Sequence, residues 1–394
     1  MHNSHMISTA VLSSMMLPCV AMAISVPNVA GRVPSHALMH SPRVRTARCA
    51  MSSKAAACQL SSLLEVAEQY DCLLLDQFGV IHDGATAYEG AVEAVTELQR
   101  RGKKICVISN SSRRRGDTVA RLLAMGFGPC VGESGEVLLP AGSSAEDDQA
   151  KLLPISVVTS GDLVFEGLSA DEAPPFAGLG IRTLCFGNGA DDEEYTRECG
   201  KVAAPIDQAD FLLARGLFTI LGAGPDLLRE PFASYSAEAE REVLEAALAR
   251  RPGGLPLLVA NPDTVRPDGK DTPMPGMLAS RYRAMGATDI RLVGKPHALI
   301  YEACRQKLVA EAGISPDEAR IVAVGDSLHH DVLGAANNGV DSIFICSGVH
   351  YTDLGIPQAQ DVAPDPEKLQ ALLDEFAAET DGVEPTHTLT SFRL

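Results

Sequence analysis

The sequence predicts an α/β protein with a doubly wound parallel sheet and a second α/β domain inserted into it. Short apolar runs alternate with amphipathic segments along the chain, as expected of strands buried between helices. Polar side chains follow several of these runs at their carboxyl ends. About 130 residues separate the third run from the fourth, far more than one crossover helix requires, so we expect an inserted domain there.

The main sheet is predicted from six apolar runs, and its helices from the amphipathic segments beside them. The strands are 72–76, 104–109, 154–159, 289–294, 320–326 and 341–347, and the helices are 89–101, 116–125, 296–312 and 366–379. The inserted domain has predicted strands at 180–187, 209–217 and 255–261 and a helix at 236–250. Gly- and Pro-rich stretches at 173–180 and 272–276 are the predicted hinges.

These elements divide the chain into five predicted segments. They are a leader at 1–64, a first part of the core at 65–175, the insertion at 176–288, a second part of the core at 289–380 and a frayed tail at 381–394. The leader is set apart because the first acidic residue is Glu65, although the chain holds 51 Asp and Glu. An apolar run at 6–23 followed by an Arg- and Ser-bearing stretch is typical of targeting peptides. We expect delivery to an organelle such as a plastid; the alternatives are a cytoplasmic protein and a merely disordered tail.

Composition limits the partners. The formal net charge is −18 and the sequence pI is near 5.0, so a general nucleic-acid surface or a stable association with an anionic membrane is not expected. The ten cysteines form no CxxC pair and no zinc-like cluster with histidine. We therefore expect reduced core cysteines, Cys72, Cys106 and Cys346 among them.

The candidate site lies where the predicted parallel strands end. Ligand sites in open α/β sheets gather beyond the carboxyl ends of the strands. The side chains predicted to converge there are Asp76, Ser109, Asn110, Ser111, Lys295 and Asp326. A carboxylate nucleophile, hydroxyl and amide groups, a lysine and a further acid for Mg²⁺ are what phosphoryl transfer needs. Each signal alone is weak, since an Asp that ends a strand is more often a cap or turn residue.

The order of the motifs is more specific than any one of them. Asp76, then Ser109, then "GKPHALIYEA" at 294–303 and "VGDSLHHDVLGAANNGVDSIFICSGVH" at 324–350 resemble the four motifs of haloacid dehalogenase-like hydrolases. With "ANPDTVRPDG" at 260–269, the chain resembles class IIA, the subclass of 4-nitrophenylphosphatase-like and phosphoglycolate phosphatase-like proteins. The resemblance covers roughly residues 68–378. It implies a Rossmann-like core and a large α/β cap of the C2 type.

The resemblance also implies a role for each site residue. Asp76 is expected to form an aspartyl-phosphate and to bind Mg²⁺ together with Asp326 and the backbone carbonyl of Phe78. Ser109, with Asn110 and Ser111, is expected to hold the phosphoryl oxygens. Further roles concern the lysine and the cap: Lys295 neutralises Asp76 and the phosphate, Asp331 orients the lysine or a metal-bound water, and Asn261 and Asp263 face the mouth of the site. An Asx-Pro turn is an equal alternative for Asp263.

Phe78 departs from the pattern, because most phosphatases of the family carry a second aspartate there as general acid and base. Such a group is typically worth 10²–10⁴-fold in rate, and phenylalanine cannot replace it. Three interpretations stay open. The enzyme uses substrates with good leaving groups; His82, His329 or His330 supplies the proton; or the chain binds a phosphorylated metabolite without turnover. For the histidines, loop and helix-cap roles are the simpler alternative. A small branch of class IIA resembles this chain in carrying an aromatic residue at this position.

Other expectations concern the substrate and its approach. Arg113, Arg114 and Arg115 follow the second motif and would steer anions to the site, or form a solvated basic face. The expected partner is a small phosphorylated metabolite, enclosed when the cap closes. The resemblance makes a homodimer through the cap one option. The sequence of the cap does not select one substrate.

Overall fold

The computed structural model describes nine stretches of the chain: residues 58–60, 62–143, 148–170, 173–189, 191–222, 228–229, 236–264, 273–312 and 319–394. The predicted leader lies outside these stretches as far as residue 57. Every helix among the described residues is too short or too polar to cross a bilayer.

Sixteen strands and eleven α-helices lie in the described residues. The strands are β1 (Cys58–Gln59), β2 (Cys72–Leu75), β3 (Lys104–Ser109), β4 (Cys130–Val131), β5 (Val137–Leu138), β6 (Ser156–Thr159), β7 (Arg182–Gly187), β8 (Val202–Ala203), β9 (Phe211–Ala214), β10 (Thr219–Leu221), β11 (Leu228–Arg229), β12 (Leu257–Val259), β13 (Ile290–Leu292), β14 (Ile321–Gly325), β15 (Asp341–Ile345) and β16 (His387–Leu389). The helices are α1 (Leu64–Ala67), α2 (Ala91–Arg100), α3 (Arg115–Ala124), α4 (Ser160–Ala170), α5 (Asp192–Glu198), α6 (Ala237–Ala249), α7 (Pro275–Ala284), α8 (Ala298–Ala312), α9 (Leu333–Asn337), α10 (Tyr351–Leu354) and α11 (Pro366–Glu379).

The core sheet has seven strands in the order β1-β16-β15-β14-β2-β3-β6, and all its pairings are parallel. The sequence of strand β2 is an unbroken apolar run because both faces of the strand are buried. Leu73 and Leu75 pack in the same apolar cluster as α2, whereas Cys72 and Leu74 pack in the cluster that contains α8. A strand covered by helices on both faces buries every side chain, which confirms the predicted α/β class.

The cap has its own sheet, in the order β11-β10-β7-β9-β12-β13, with β8 beside β7. Helices α6 and α7 pack on one face, and α4 and α5 cover the other. The strands predicted at 180–187, 209–217 and 255–261 and the helix at 236–250 are all present as β7, β9, β12 and α6. The inserted α/β domain is therefore confirmed.

One predicted core strand is in the wrong sheet. Residues 289–294 were expected in the core, but β13 pairs in parallel with β12 of the cap, Leu257 opposite Ile290. The predicted boundary after residue 288 therefore falls inside the cap sheet, and the predicted hinge at 272–276 falls at the start of a cap helix, α7. The apolar pattern of a parallel strand does not say which sheet it joins, because partners in a sheet are distant in sequence.

Both ends of the described chain also differ from prediction. Strands β1 and β16 pair in parallel at the edge of the core sheet, with Cys58 opposite His387. Leu60, Leu63 and Phe392 are buried in the core cluster. The predicted frayed tail at 381–394 is thus wrong, and residues 58–60 and 62–64 belong to the core, not to a leader. A three-residue strand is too short to produce a periodic signal in a sequence.

Candidate active site

The predicted site residues meet at the carboxyl ends of three core strands. Asp76 follows β2, Ser109 ends β3 and Asp326 follows β14, and these strands are neighbours in the sheet. Lys295 reaches the same place from the cap side, just after β13. All four line one cavity of about 530 Å³ whose walls come from the core and the cap. The predicted convergence of distant residues is therefore present in the structure.

Lys295 is the centre of the charge cluster. Its Nζ lies 2.7 Å from Oδ1 of Asp76 and 2.7 Å from Oδ1 of Asp331. All three side chains are nearly inaccessible to solvent. Asp331 thus contacts the lysine, and the two roles suggested for it, to orient the lysine or a metal-bound water, stay predictions.

The single ammonium charge of Lys295 does not neutralise the three carboxyl groups that surround it. Carboxylate oxygens of Asp76, Asp326 and Asp331 lie within 4.8 Å of one another. Burial, with the charge of Asp331, raises the pKa of Asp76 to about 7 even though Lys295 opposes the shift. Burial and the charges of Asp76 and Asp331 hold the pKa of Asp326 well above its usual range. An excess of buried carboxylate oxygens is the donor set that Mg²⁺ prefers, so the site fits this ion.

Three glycines allow the carboxylates to come this close. A Cβ atom on Gly79 would lie 2.0 Å from Oδ2 of Asp326, and one on Gly348 would lie 2.1 Å from Cβ of Asp326. A Cβ on Gly325 would lie 2.0 Å from Cγ of Asp331. Gly79 also has φ +83°, a conformation that L side chains rarely adopt. The sequence prediction missed these glycines as site residues; the signal for them was their position directly beside the motif acids.

Ser109 and its neighbours form the wall opposite the acids. Ser109 Oγ accepts hydrogen bonds from Nε2 of Gln77 at 2.5 Å and from the backbone N–H of Ser111 at 3.1 Å. Gln77 was not predicted as a site residue, although it lies between Asp76 and Phe78 in the first motif. Ser111 lines the cavity as expected.

Asn110 has a different use from the predicted one. Its Oδ1 accepts the backbone N–H of Lys295 at 2.6 Å, and its Nδ2 donates to Oδ1 of Asp263 at 2.7 Å. The side chain therefore ties the end of β3 to the cap segment and to the lysine, and its polar atoms are engaged there. Only the backbone N–H of Asn110 therefore remains for the predicted contribution to phosphate binding.

The cap segment 261–264 lies at the mouth of the cavity. Oδ1 of Asn261 accepts the backbone N–H of Asp263 at 2.9 Å, which is the Asx turn that the sequence offered as an alternative. Both residues also line the cavity. Asp263 therefore belongs to an Asx turn and also faces the mouth of the site. Oδ1 of Asp263 lies 3.1 Å from Nδ1 of His330, in addition to its bond from Asn110.

The three candidate histidines differ in their surroundings. His82 is fully buried, its Nδ1 accepts the backbone N–H of Gly84 at 3.0 Å, and its Nε2 faces Oε1 of Gln77 at 3.2 Å. His329 is largely exposed and pairs with Glu379 at 3.2 Å. All three line the cavity, and His330 is the one among them that pairs with Asp263 of the cap segment.

Phe78, the residue that the resemblance predicts in place of a second aspartate, lies at the cavity wall. Its ring meets the ring of His82 edge to face, with 5.8 Å between centroids. A Cβ on Gly84 would come within 2.7 Å of the Phe78 ring, so the turn after the first motif is shaped around this aromatic side chain. Its role as a metal ligand through the backbone carbonyl stays a prediction.

The three arginines after the second motif do not form one basic face. Arg114 donates to Asp162 and lies over the Phe165 ring, 3.8 Å from its centroid. Arg115 lies 3.4 Å from the same carboxylate group. Of the three, Arg113 lines the cavity, although Asp117 lies 3.5 Å from it. Arg113 and Arg121, which the sequence prediction missed, are thus the arginines that line the cavity, and the steering of anions stays a prediction.

Two family models match this chain on the segments that carry these residues. A model of haloacid dehalogenase-like hydrolases matches residues 73–147, and a second model of the same superfamily matches residues 292–369. The chain belongs to the haloacid dehalogenase-like hydrolases. The first segment holds Asp76 and Ser109, and the second holds Lys295 and Asp326.

Curated relatives of this haloacid dehalogenase-like chain are similar at moderate identity. D-glycerol 3-phosphate phosphatase of Mycobacterium tuberculosis is 26% identical over 72% of this chain, and the match spans 65% of that protein's length. Human chronophin is 27% identical over 73% of this chain and 85% of its own length. Human glycerol-3-phosphate phosphatase is 29% identical over 71% of this chain and 79% of its own length.

Solved structures extend the likeness to the cap. A haloacid dehalogenase-like hydrolase from Brucella suis is 25% identical, covers 84% of this chain and 98% of its own, and has a TM-score of 0.56. NagD from Escherichia coli is 18% identical, covers 82% and 97%, and has a TM-score of 0.51, so it shares the fold. These neighbours share the fold of the core with its inserted cap.

Proposed function

We propose that this chain is a Mg²⁺-dependent phosphatase that hydrolyses a small phosphate monoester through an aspartyl-phosphate on Asp76. The observation that carries the proposal is the contact of Asp76 with Lys295 inside a cavity that Asp326 and Ser109 also line. The names of the relatives support it, because two of them are glycerol phosphate phosphatases.

The metal would be held by Asp76, Asp326 and the backbone carbonyl of Phe78. When bound, Mg²⁺ supplies positive charge that neutralises the phosphoryl oxygens in the transition state. Val349 donates its backbone N–H to Oδ2 of Asp326 at 2.7 Å and so fixes that carboxylate. The neighbouring Gly79 and Gly348 leave room for it.

The protein's own groups then perform a two-step transfer. A carboxylate oxygen of Asp76 attacks phosphorus, and the bond from phosphorus to the ester oxygen breaks as the bond to Asp76 forms. Lys295 balances the charge on Asp76 and on the phosphoryl group, and Ser109 donates a hydrogen bond to a phosphoryl oxygen. In the second step water attacks phosphorus, inorganic phosphate leaves, and the Asp76 carboxylate is restored.

The leaving oxygen requires a proton that Phe78 cannot give. His82 is unsuited, because its Nδ1 accepts a backbone N–H and because burial, aided by the charge of Arg121, lowers its pKa to about 4. His329 points to Glu379 instead. His330 lines the cavity with Asp263 behind its Nδ1, the arrangement in which a carboxylate orients a histidine. We therefore propose His330 as the donor to the leaving oxygen.

The substrate class follows from the cavity. A volume of about 530 Å³ lies in the range for small-molecule sites. Asn188, Phe218 and Met274 are cap residues that line it, so they would contact the alcohol part of the ester. A homodimer through the cap and delivery to an organelle stay predictions; light scattering of the purified chain and microscopy of a tagged full-length chain test them.

The decisive experiment assays a chain that begins before Cys58, so that β1 is kept. Aryl and alkyl phosphates are compared with and without Mg²⁺, beside Asp76→Asn. We expect Mg²⁺-dependent turnover, faster on aryl esters, and its loss in the variant. Full activity of Asp76→Asn would overturn the mechanism.

A second candidate function is a phosphometabolite-binding protein without turnover, and the residue that favours it is Phe78. The same assays separate the two. Saturable, Mg²⁺-linked binding of a phosphate ester without hydrolysis of any ester would support the binding role and contradict the phosphatase.

A further inference from the structure

A buried chain of hydrogen bonds leads from the backbone of Gly84 through His82 and Gln77 to Ser109. The three side chains are 0%, 5% and 4% exposed, respectively. Neither Gln77 nor His82 belongs to the set that contacts phosphate or metal in the proposed mechanism. Buried polar groups of this kind keep their partners because no water competes for them.

The direction of each bond follows from one fixed donor. The backbone N–H of Gly84 can only donate, so Nδ1 of His82, 3.0 Å away, must be the acceptor and carry no hydrogen. The neutral ring then has its hydrogen on Nε2, which donates to Oε1 of Gln77 at 3.2 Å. Because Oε1 of Gln77 faces the histidine, the amide nitrogen Nε2 faces Ser109, and it donates to Oγ of Ser109 at 2.5 Å.

This direction decides the orientation of the Ser109 hydroxyl. Its oxygen accepts two hydrogen bonds, from Gln77 and from the backbone N–H of Ser111. A hydroxyl has two lone pairs and one hydrogen, so both lone pairs are engaged. Among the described residues the hydroxyl hydrogen has no acceptor, which leaves it for the cavity that Ser109 lines.

Phe78 protects this arrangement. Its ring lies edge to face against His82, and Gly84 leaves the space that the ring needs. Because Nδ1 accepts the backbone N–H of Gly84, the ring carries its hydrogen on Nε2 alone and is neutral in this arrangement. Phe78, the residue at the position where the sequence analysis expected an acid, therefore packs against the histidine of this hydrogen-bond series.

We propose that Gln77 and His82 are positioning residues that hold Ser109 Oγ with its hydrogen directed at a phosphoryl oxygen. This inference rests on the proposed function, since it needs a phosphate group in the cavity. Gln77 acts on the substrate only through Ser109.

A double-mutant cycle tests this positioning role. Gln77→Met keeps the size of the side chain and removes its donor. We measure the Kd for inorganic phosphate with Mg²⁺ by calorimetry and the KM for 4-nitrophenyl phosphate. Gln77→Met should weaken phosphate binding and raise KM about three- to tenfold, the effect of one lost hydrogen bond. In a Ser109→Ala background the same change should have no effect, because the positioned hydroxyl is gone.

Two further variants complete the test. Gln77→Glu keeps the shape, but its carboxylate would accept the Ser109 hydrogen and repel phosphate, so it should weaken binding more than Gln77→Met. Gln99→Met is the matched control, since Gln99 is a buried glutamine that donates to Leu153 O at 2.7 Å, away from the cavity, and phosphate binding should not change.

The outcomes separate the two proposals. The positioning role would be overturned if Gln77→Met weakened phosphate binding equally in the wild-type and Ser109→Ala backgrounds, or did not weaken it at all. The proposed phosphatase activity would not be affected by either outcome. A wild-type chain that neither binds phosphate nor turns over any ester would overturn both.

Discussion

Lys295 Nζ lies 2.7 Å from Oδ1 of Asp76, although the two residues are 219 positions apart in the chain. The pair joins the end of a core strand to the segment that leaves the cap. Because Lys295 also contacts Asp331, a single ammonium group holds together two acids from different parts of the core.

Removing the lysine should destabilise the protein and abolish activity. Lys295→Met would leave buried acids without their partner, and breaking a buried pair in this way costs about 3–5 kcal/mol. The free energy of unfolding from urea titration measures it. Lys151→Met is the control, because Lys151 pairs with Asp148 at an exposed site and should cost less than about 1 kcal/mol. A Lys295→Met chain as stable as the control would contradict the role given to this pair.

Mg²⁺ should raise the melting temperature, because it binds the folded site and not the unfolded chain. Asp326→Asn should raise the melting temperature of the metal-free protein, since it removes one buried charge from a cluster in which burial already raises the pKa of Asp326. The same variant should lose the stabilisation by Mg²⁺. Calorimetric scans with Mg²⁺ and with a chelator measure both effects, and an unchanged Mg²⁺ shift in Asp326→Asn would exclude this carboxylate as a ligand.

Phe78→Asp should restore an acid at the position where the family has one. We expect faster hydrolysis of alkyl phosphates, by up to about 10²–10⁴-fold, and little change for aryl esters that leave without help. Steady-state kcat on both ester types measures this. Phe78→Leu removes the aromatic ring without adding an acid and should not raise kcat. A higher kcat in both variants would show that the loss of the ring, and not proton transfer, causes the effect.

His330→Gln should slow alkyl esters about 10²-fold and aryl esters much less, because it removes the proposed donor to the leaving oxygen. The neighbouring His329→Gln is the control, since His329 also lines the cavity but is exposed and pairs with Glu379, not with Asp263. Equal rates for His330→Gln and wild type on alkyl esters would rule out this role.

Acid should destabilise the fold through His82. Its pKa is lowered to about 4 in the folded protein, whereas an unfolded histidine has a pKa of about 6.5. Between these values the unfolded chain binds a proton that the folded chain does not, so stability is present above about pH 6.5 and is lost as the pH falls toward 4. The loss is about 3 kcal/mol by this linkage. Urea unfolding from pH 7 to pH 4 should show a flatter curve for His82→Gln, and parallel curves would contradict the neutral, buried state of His82.

The sequence predicted correctly those strands and helices whose apolar pattern is contained in their own residues. The strands at 72–76, 104–109 and 320–326 and the helix at 366–379 could be predicted because their apolar pattern lies in the residues themselves. The residues at their ends could be assigned to one site because parallel strands end at the same edge. Strand β16 was not predicted, since three residues carry too little pattern, and β13 was predicted as a strand but assigned to the wrong sheet, since its partner β12 lies far away in the sequence.

The sequence alone thus determined the family, the α/β core with its inserted cap, and the set Asp76, Ser109, Lys295 and Asp326. Only the tertiary structure decided which candidate histidine pairs with Asp263 in the cavity, that Asn110 ties the cap to the core, and that Gln77 reaches Ser109. The physical reason is that a motif specifies residue types in order along the chain, whereas the direction of a hydrogen bond depends on side chains brought together by folding from separate elements.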